Sequence, residues 1–374
     1  MRLRTALARS VLRRLGRDDR GAIGVLVAVL IGGGVLLGMG ALVIDVGQLY
    51  QNRAELQNGA DAAALAVAQS CAAGSCVPSL AAQFATANAS KLTGGAAGVD
   101  LVCGSGSLGA CPASSGAITD CPAAPAGSNY VDVHTSTRTS GGSSLLPPAF
   151  AATLLGNSGD QGSTVKACAQ AEWGAPTALN AGIAVTISAC SWDNYTNLGT
   201  TFAPAPPYPP DPLPSASLDQ VLQFHGSGSN TSCTTEPSGA DAPGNFGWTI
   251  DSTGNCQTYI NGSTYGVSTG TSASSACKTA LAADQANKTL VFIPVYVSVV
   301  GTGTGAYYTL KGFAAFVITG YRVPGASASD WLNSANNCKG SAQCINGYFT
   351  QGLIPTNGSI GGLNLGASIA QLSG

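Results

Sequence analysis

The sequence predicts an α+β protein: one N-terminal membrane helix that continues outside the bilayer, then a mainly antiparallel β ectodomain held by disulfides. Three observations carry this. Residues 21–44 form a 24-residue run without a charge. No proline interrupts the chain from Gly21 to Ser70. All twelve cysteines lie beyond the apolar run, among segments of alternating polarity.

Residues 21–44 as helix span about 36 Å, enough for a bilayer core of about 30 Å. A cleaved secretory signal would have a shorter apolar region. Residues 1–20 hold seven arginines and two acids, a net charge of +5, while the chain as a whole carries −2. Basic residues before a hydrophobic segment stay on the cytoplasmic side. The N terminus is therefore expected in the cytoplasm and the bulk of the chain outside, in a single-pass arrangement. A chain with 9% charged residues, 50 glycines and a slightly acidic balance implies no nucleic-acid partner. An even cysteine count confined to the expected outside predicts structural disulfides rather than metal ligation.

The second element is the stalk, residues 45–70. Val46, Leu49, Arg53, Leu56 and Ala60 recur at three- and four-residue steps, a narrow apolar stripe broken by one arginine. Tyr50 suits the water–lipid interface. The membrane helix is expected to leave the bilayer near Asp45 and run on for about seven turns, ending at Cys71 and Gly74. Ala60, Ala63, Ala64 and Ala68 make a short-side-chain surface on which a second helix can approach closely. Two readings stand for that surface: it packs on the protein's own strands, or it receives another subunit. On the second reading Asp45, Tyr50, Arg53, Ala60 and Ala64 are the candidate partner contacts, with Glu55 beside them.

Residues Arg20–Ala68 also resemble a known family. "RGAIGVLVAVL" followed by "ALVIDVGQLYQNRAELQNGADAAALAVA" is similar to the N-terminal signature of TadE/TadG-like proteins of Flp (tight adherence) pilus assembly. "CAQAEWG" at Cys168–Gly174, "PGNFGW" at Pro243–Trp248 and "FAAFVITGY" at Phe313–Tyr321 resemble the longer members from high-GC Gram-positive bacteria. The resemblance implies a membrane-anchored minor-pilin-like assembly component, partnered by other pilus subunits and not an enzyme. The alternative is an anchored adhesin or cell-wall-binding protein outside any pilus. Leu26 stands where prepilin processing needs a Glu five residues after Gly21, and no Asp-x-Ser-x-Ser metal motif occurs. Neither the cleavage nor the metal site of relatives is carried over.

In the ectodomain, residues 71–202 form a first β-rich part and 215–374 a second. Residues 203–214, with seven prolines in twelve, form a linker of polyproline II type or a loop laid on the surface. Ala81–Leu92 and Pro147–Leu155 read as short helices. Tyr130–Thr135, Val165–Trp173, Ile183–Ala189 and Val221–His225 alternate as strands. Leu290–Val300 and Ala306–Val323 are the strongest strand signals, joined by a turn at Gly301–Gly305. In the first of them Val291, Ile293, Val295, Val297 and Val299 are expected on one face, with Phe292, Tyr296 and Val300 on the other. The tail from Ser327 reads as loop.

Local spacing pairs Cys71 with Cys76, Cys233 with Cys256 and Cys338 with Cys344. Cys168 and Cys190 are candidates for a link between neighbouring strands. No GxSxG and no GxxxxGK[ST] occurs, and the two histidines, His134 and His225, lack a supporting element. No catalytic residue, cofactor, metal or small-molecule substrate is expected.

Overall fold

The computed structural model describes residues 3–92, 95–113, 115–117, 119–139, 164–208, 212–224, 246–268, 273–301, 305–336, 338, 343–355 and 358–373. The expected helix at 147–155, the middle of the turn at 302–304, His225 and Cys233 lie outside them.

One helix, α1 (Leu3–Ala72), carries the basic arm, the apolar run and the stalk without a break. Its 70 residues are about 105 Å long at 1.5 Å per residue. It ends in a glycine cap. Gly74 takes φ +90°, Ser75 N donates to Ser70 O and Gly74 N to Cys71 O, each at 3.0 Å. This two-bond pattern satisfies the last carbonyls. A short α2 (Leu80–Asn88) then doubles back along α1, ending four residues before the expected stop.

Sixteen strands follow among the described residues: β1 (Ala96–Gly104), β2 (Asn129–Arg138), β3 (Lys166–Gly174), β4 (Ala178–Ala181), β5 (Val185–Ser188), β6 (Gln220–Gln223), β7 (Phe246–Trp248), β8 (Thr258–Asn261), β9 (Thr264–Gly266), β10 (Leu290–Val300), β11 (Tyr307–Val323), β12 (Ala326–Ala328), β13 (Cys344–Thr350), β14 (Gly352–Leu353), β15 (Leu363–Leu365) and β16 (Ala367–Leu372). Two further helices, α3 (Ala189–Tyr195) and α4 (Ser275–Asn287), sit among them. The sequence reading contained neither. Each begins with a serine whose hydroxyl accepts an N–H of the first turn, Ser188 from Ser191 and Ser274 from Cys277, both at 3.1 Å.

Three sheets result, of α+β type with mostly antiparallel pairing. The first runs β1-β2-β3-β16-β14, and α1 packs on it. The second is built along β6-β13-β11-β10-β5-β7, with β9, β12 and β15 also on β11. A small third sheet pairs β4 with β8. Strands from both sides of residues 203–214 share the larger sheets. The proline tract itself is pinned to β13: Ala203 N donates to Phe349 O at 2.9 Å, Thr350 Oγ1 to Ala203 O at 2.6 Å, and the Tyr208 and Tyr348 hydroxyls meet at 2.8 Å. Pro209–Asp211 lie outside the described residues.

The strong strand signals become the β10–β11 hairpin at the centre of the second sheet. One face, with Val295, Ile187 and Phe316, buries against α4 through Leu281 and Cys277. The other, with Tyr296, Tyr308 and Phe313, buries against Leu179, Ile260 and Ile369.

Two expectations fail here. The register breaks around Tyr296, and Val297 is left unpaired and exposed, so Val299 joins Tyr296 in the second core instead of Val295 in the first. A bulge of one residue flips every later side chain. The tail is not a loop: β13 lies between β6 and β11, and β16 closes the first sheet on β3. Gly347 at the middle of β13 hides this in the sequence, and a Cβ there would collide with the Phe316 ring.

Disulfides join Cys71 to Cys76, Cys103 to Cys111, Cys121 to Cys168, Cys256 to Cys277 and Cys338 to Cys344. The proposed pairs Cys233–Cys256 and Cys168–Cys190 are corrected. Cys256 meets Cys277 because α4 folds back over the second sheet, and Cys168 in β3 meets Cys121 from the segment entering β2. Cys190 is also disulfide-bonded. Replacing Cys256 and Cys277 together by alanine is expected to lower unfolding free energy by about 2–4 kcal/mol, since both are buried and the bridge closes a 21-residue separation. Urea denaturation of wild type and double variant measures it.

Candidate partner interface

The stalk divides into a buried and an uncovered part. From Leu56 onward its stripe faces the first sheet: Ala60, Ala63, Ala64, Val67 and Ala68 are fully or almost fully buried against Val131, Val133, Ala169, Ala171 and Trp173. Leu56 packs with Val165 and Ala167. Polar contacts fasten the same face. Gln57 Nε2 donates to Cys168 O at 3.0 Å and to Asp61 Oδ1 at 2.8 Å.

Ala60 and Ala64, candidate partner contacts by sequence, are therefore corrected: both are 0% exposed within the chain itself. The physical premise is realised with a different occupant. The short side chains do admit a second helix, and it is α2 of the same chain, bringing Ala81 and Ala85 into that core. A Cβ on Gly59 would stand only 2.7 Å from Ala85 O, so the absence of a side chain sets this close approach. Glu55 is engaged within the chain at the surface, accepting from Lys91 N at 3.3 Å.

The other candidates lie at the membrane-proximal end. Tyr50 is 72% exposed, whereas Asp45 and Arg53 are half-buried. Val46, Leu49, Tyr50 and Arg53 form one wall of an open groove of about 370 Å³, and Thr119, Thr164, Val165 and Lys166 form the other. Before it, residues 23–29 are exposed on every side of the helix, among them Ile23, Val25, Leu26 and Val29. Among the described residues no helix is long and apolar enough to cross a membrane. Side chains at 21–22, 30–31 and 34–37 of the apolar run lie outside the described residues.

Residues 21–70 match the family model of putative Flp pilus-assembly TadE/G-like proteins. Neither a curated protein nor a solved structure matches the chain. The TadE/G-like segment thus begins in the apolar run and ends two residues before α1 does, within the stalk that docks on the first sheet. The match supports a Flp/Tad pilus-related role, and a family that is structural rather than catalytic.

Two clusters have the residue types of metal sites and a chemistry that opposes the assignment. Cys121, His134 and Cys168 converge, as do Cys103, Cys111 and Asp132. In both the two sulfurs are joined to each other, and a disulfide offers no thiolate to a metal. His134 Nε2 stands 3.9 Å from Cys121 Sγ. Among the described residues no serine hydroxyl hydrogen-bonds it.

Proposed function

We propose that this protein is a membrane-anchored, minor-pilin-like structural or assembly component of a Flp/Tad-type pilus, acting by protein–protein contact. The observation that carries the reading is the coincidence of the TadE/G-like match with a single unbroken helix, exposing apolar side chains at 23–29 and 42–44 and docked from Leu56 onward on a β ectodomain. The run 21–44 serves as the anchor, with the arginine-rich arm in the cytoplasm and everything beyond residue 45 outside. An apolar helix exposed on all sides is stable where lipid covers it.

Asp45, Tyr50 and Arg53 are the contacts offered to neighbouring subunits, at the level where the helix leaves the bilayer. The docked stalk holds them at a fixed height and angle, so the ectodomain acts as a rigid handle on the anchor.

Full-length protein extracted from membranes in mild detergent is expected to bring other pilus components with it. Tyr50→Asp is expected to reduce their recovery at least tenfold while leaving protease resistance unchanged, because the ring is exposed in the folded chain. Alkaline phosphatase fused after residue 75 is expected to be active. Full partner recovery by Tyr50→Asp removes the contact from the proposal. An inactive fusion overturns the topology.

A further inference from the structure

Away from the membrane end, a second cleft opens where the C-terminal end of α1 meets both large sheets, with a volume of about 250 Å³. We propose that it is a binding site for a neutral carbohydrate, one sugar ring of which it holds. This does not rest on the pilus reading.

The cleft is built from four regions distant in sequence, the first being Cys71, Ala72 and Gly74 at the end of α1. Ser128 precedes β2 and Asn129 opens it, Trp173 stands one residue before the end of β3, and Gln351, Asn364 and Ser368 come from the C-terminal strands and their connections. Asn129 is the direct cross-strand neighbour of Trp173, which places both on one face of the sheet. The rim is exposed at Asn129 and Asn364, while Trp173 at 8% and Ser368 at 5% exposure lie deep. One wall is firmly tied. Gly361 N and Gly362 N both donate to Ala175 O, at 3.1 and 3.0 Å, and Thr177 N donates to Ser359 O at 2.9 Å. Glycine lets this wall pack closely: a Cβ on Gly174 would stand 2.6 Å from Ile360 Cγ2, and one on Gly362 only 2.2 Å from Pro176 O.

The hydrogen-bonding capacity of the lining fits a polyol. Ser128 Oγ donates to Glu172 Oε2 at 2.8 Å, which leaves its lone pairs to accept. Asn364 Oδ1 accepts from Gly366 N at 3.1 Å, which leaves its NH₂ to donate. The side chains of Asn129, Gln351 and Ser368 have no hydrogen-bond partner among the described residues.

None of the described lining residues carries a formal charge. Glu172, behind Ser128, has both oxygens engaged, the second by Gln371 Nε2 at 2.7 Å. An anion finds no counter-charge here. A ring bearing hydroxyls at its edge matches the amides and hydroxyls that line the cleft.

The test uses full-length protein in detergent, with chitohexaose, cellohexaose and maltohexaose as neutral probes. Trigalacturonate and a Gly-Ser-Asn-Gly peptide serve as charged and peptide comparisons. Titration calorimetry is expected to show saturable binding of at least one neutral oligosaccharide. Gln351→Ala and Asn129→Ala are each expected to weaken it about tenfold, the loss of one hydrogen bond. Both positions are partly or fully exposed, so protease resistance is expected to remain that of wild type. The proposal is overturned if none of the three sugars binds, if both variants bind as wild type does, or if trigalacturonate or the peptide binds as tightly as the best sugar.

Discussion

Ala64→Glu is expected to unfold the first sheet from its helix, lowering stability by about 4 kcal/mol or more. Ala64 is completely enclosed by α1, β2 and β3, in a core whose described members are alanine, valine, leucine, cysteine and tryptophan. Two effects add there. The extra atoms force the tightly packed helix off the sheet, which alone costs about 1–3 kcal/mol. The carboxylate must also either stay charged in an apolar site without a partner or take up a proton far above its normal range. Ala54→Glu is the control, one helix face away and exposed, and should change stability by no more than about 0.5 kcal/mol. Thermal melts and limited proteolysis of both full-length variants measure the difference. A folded, wild-type-stable Ala64→Glu protein would falsify the buried assignment and return Ala64 to the partner-contact set. Loss of pilus components by an unfolded Ala64→Glu protein would say nothing about a subunit interface, and Tyr50→Asp is the more direct probe of contact.

What the sequence made legible follows physical rules of range. The stalk was readable as a helix because its periodicity and its lack of proline are local. Its occupant was not, because one alanine-rich stripe serves equally for a sheet of the same chain or a neighbour's helix, and only the three-dimensional course of β2, β3 and α2 decides between them. β10 and β11 were readable for the same local reason, while the bulge at Val297 was not, since it is set by the partner strand's register. The tail was misread because β13 has a glycine where a strand ordinarily puts bulk, and β16 is short and small-residued. α4 was legible in principle: Ser274 stands as a cap before an alanine-rich stretch, but its few apolar residues give a weak stripe. Spacing alone sees loops and not crossovers, so the Cys256–Cys277 and Cys121–Cys168 bridges were out of reach. The carbohydrate cleft left no local trace, being assembled from residues up to 297 positions apart.

The second sheet carries a device with the opposite pH sign to an ordinary surface carboxylate, and the protein is expected to melt at a higher temperature at pH 5 than at pH 8. Asp219 and Asp330 are both buried, at the end of β11 where the loop before β6 meets the segment after β12. Asp330 Oδ1 accepts from Leu332 N and Asn333 N, at 2.9 and 2.8 Å. Burial, followed by the hydrogen bond and charge of Asp330, pushes the Asp219 carboxyl up to about 8, against hydrogen bonds from Thr319 and Asn336 that favour its ionised form. In the unfolded chain Asp219 releases its proton near 3.8. Between these values the folded state holds a proton that the unfolded state has lost. The stabilisation is complete below about 4 and drains away as pH rises to about 8, at up to about 1.4 kcal/mol per pH unit. Asp284, raised to about 6 by burial and opposed by a hydrogen bond from Thr289, acts in the same direction over the lower part of that window. Asp219→Asn supplies a permanently neutral group of the same shape. Its amide donates toward Asp330, and its carbonyl accepts from Asn336 if the Thr319 hydroxyl turns to accept. The variant should flatten the pH dependence between 5 and 8 and match or exceed wild-type stability at pH 8. Melting temperatures of both proteins at pH 5, 6.5 and 8 decide it: a wild-type value that rises with pH, or an unchanged slope in Asp219→Asn, would mean that Asp219 is ionised in the folded protein across that range.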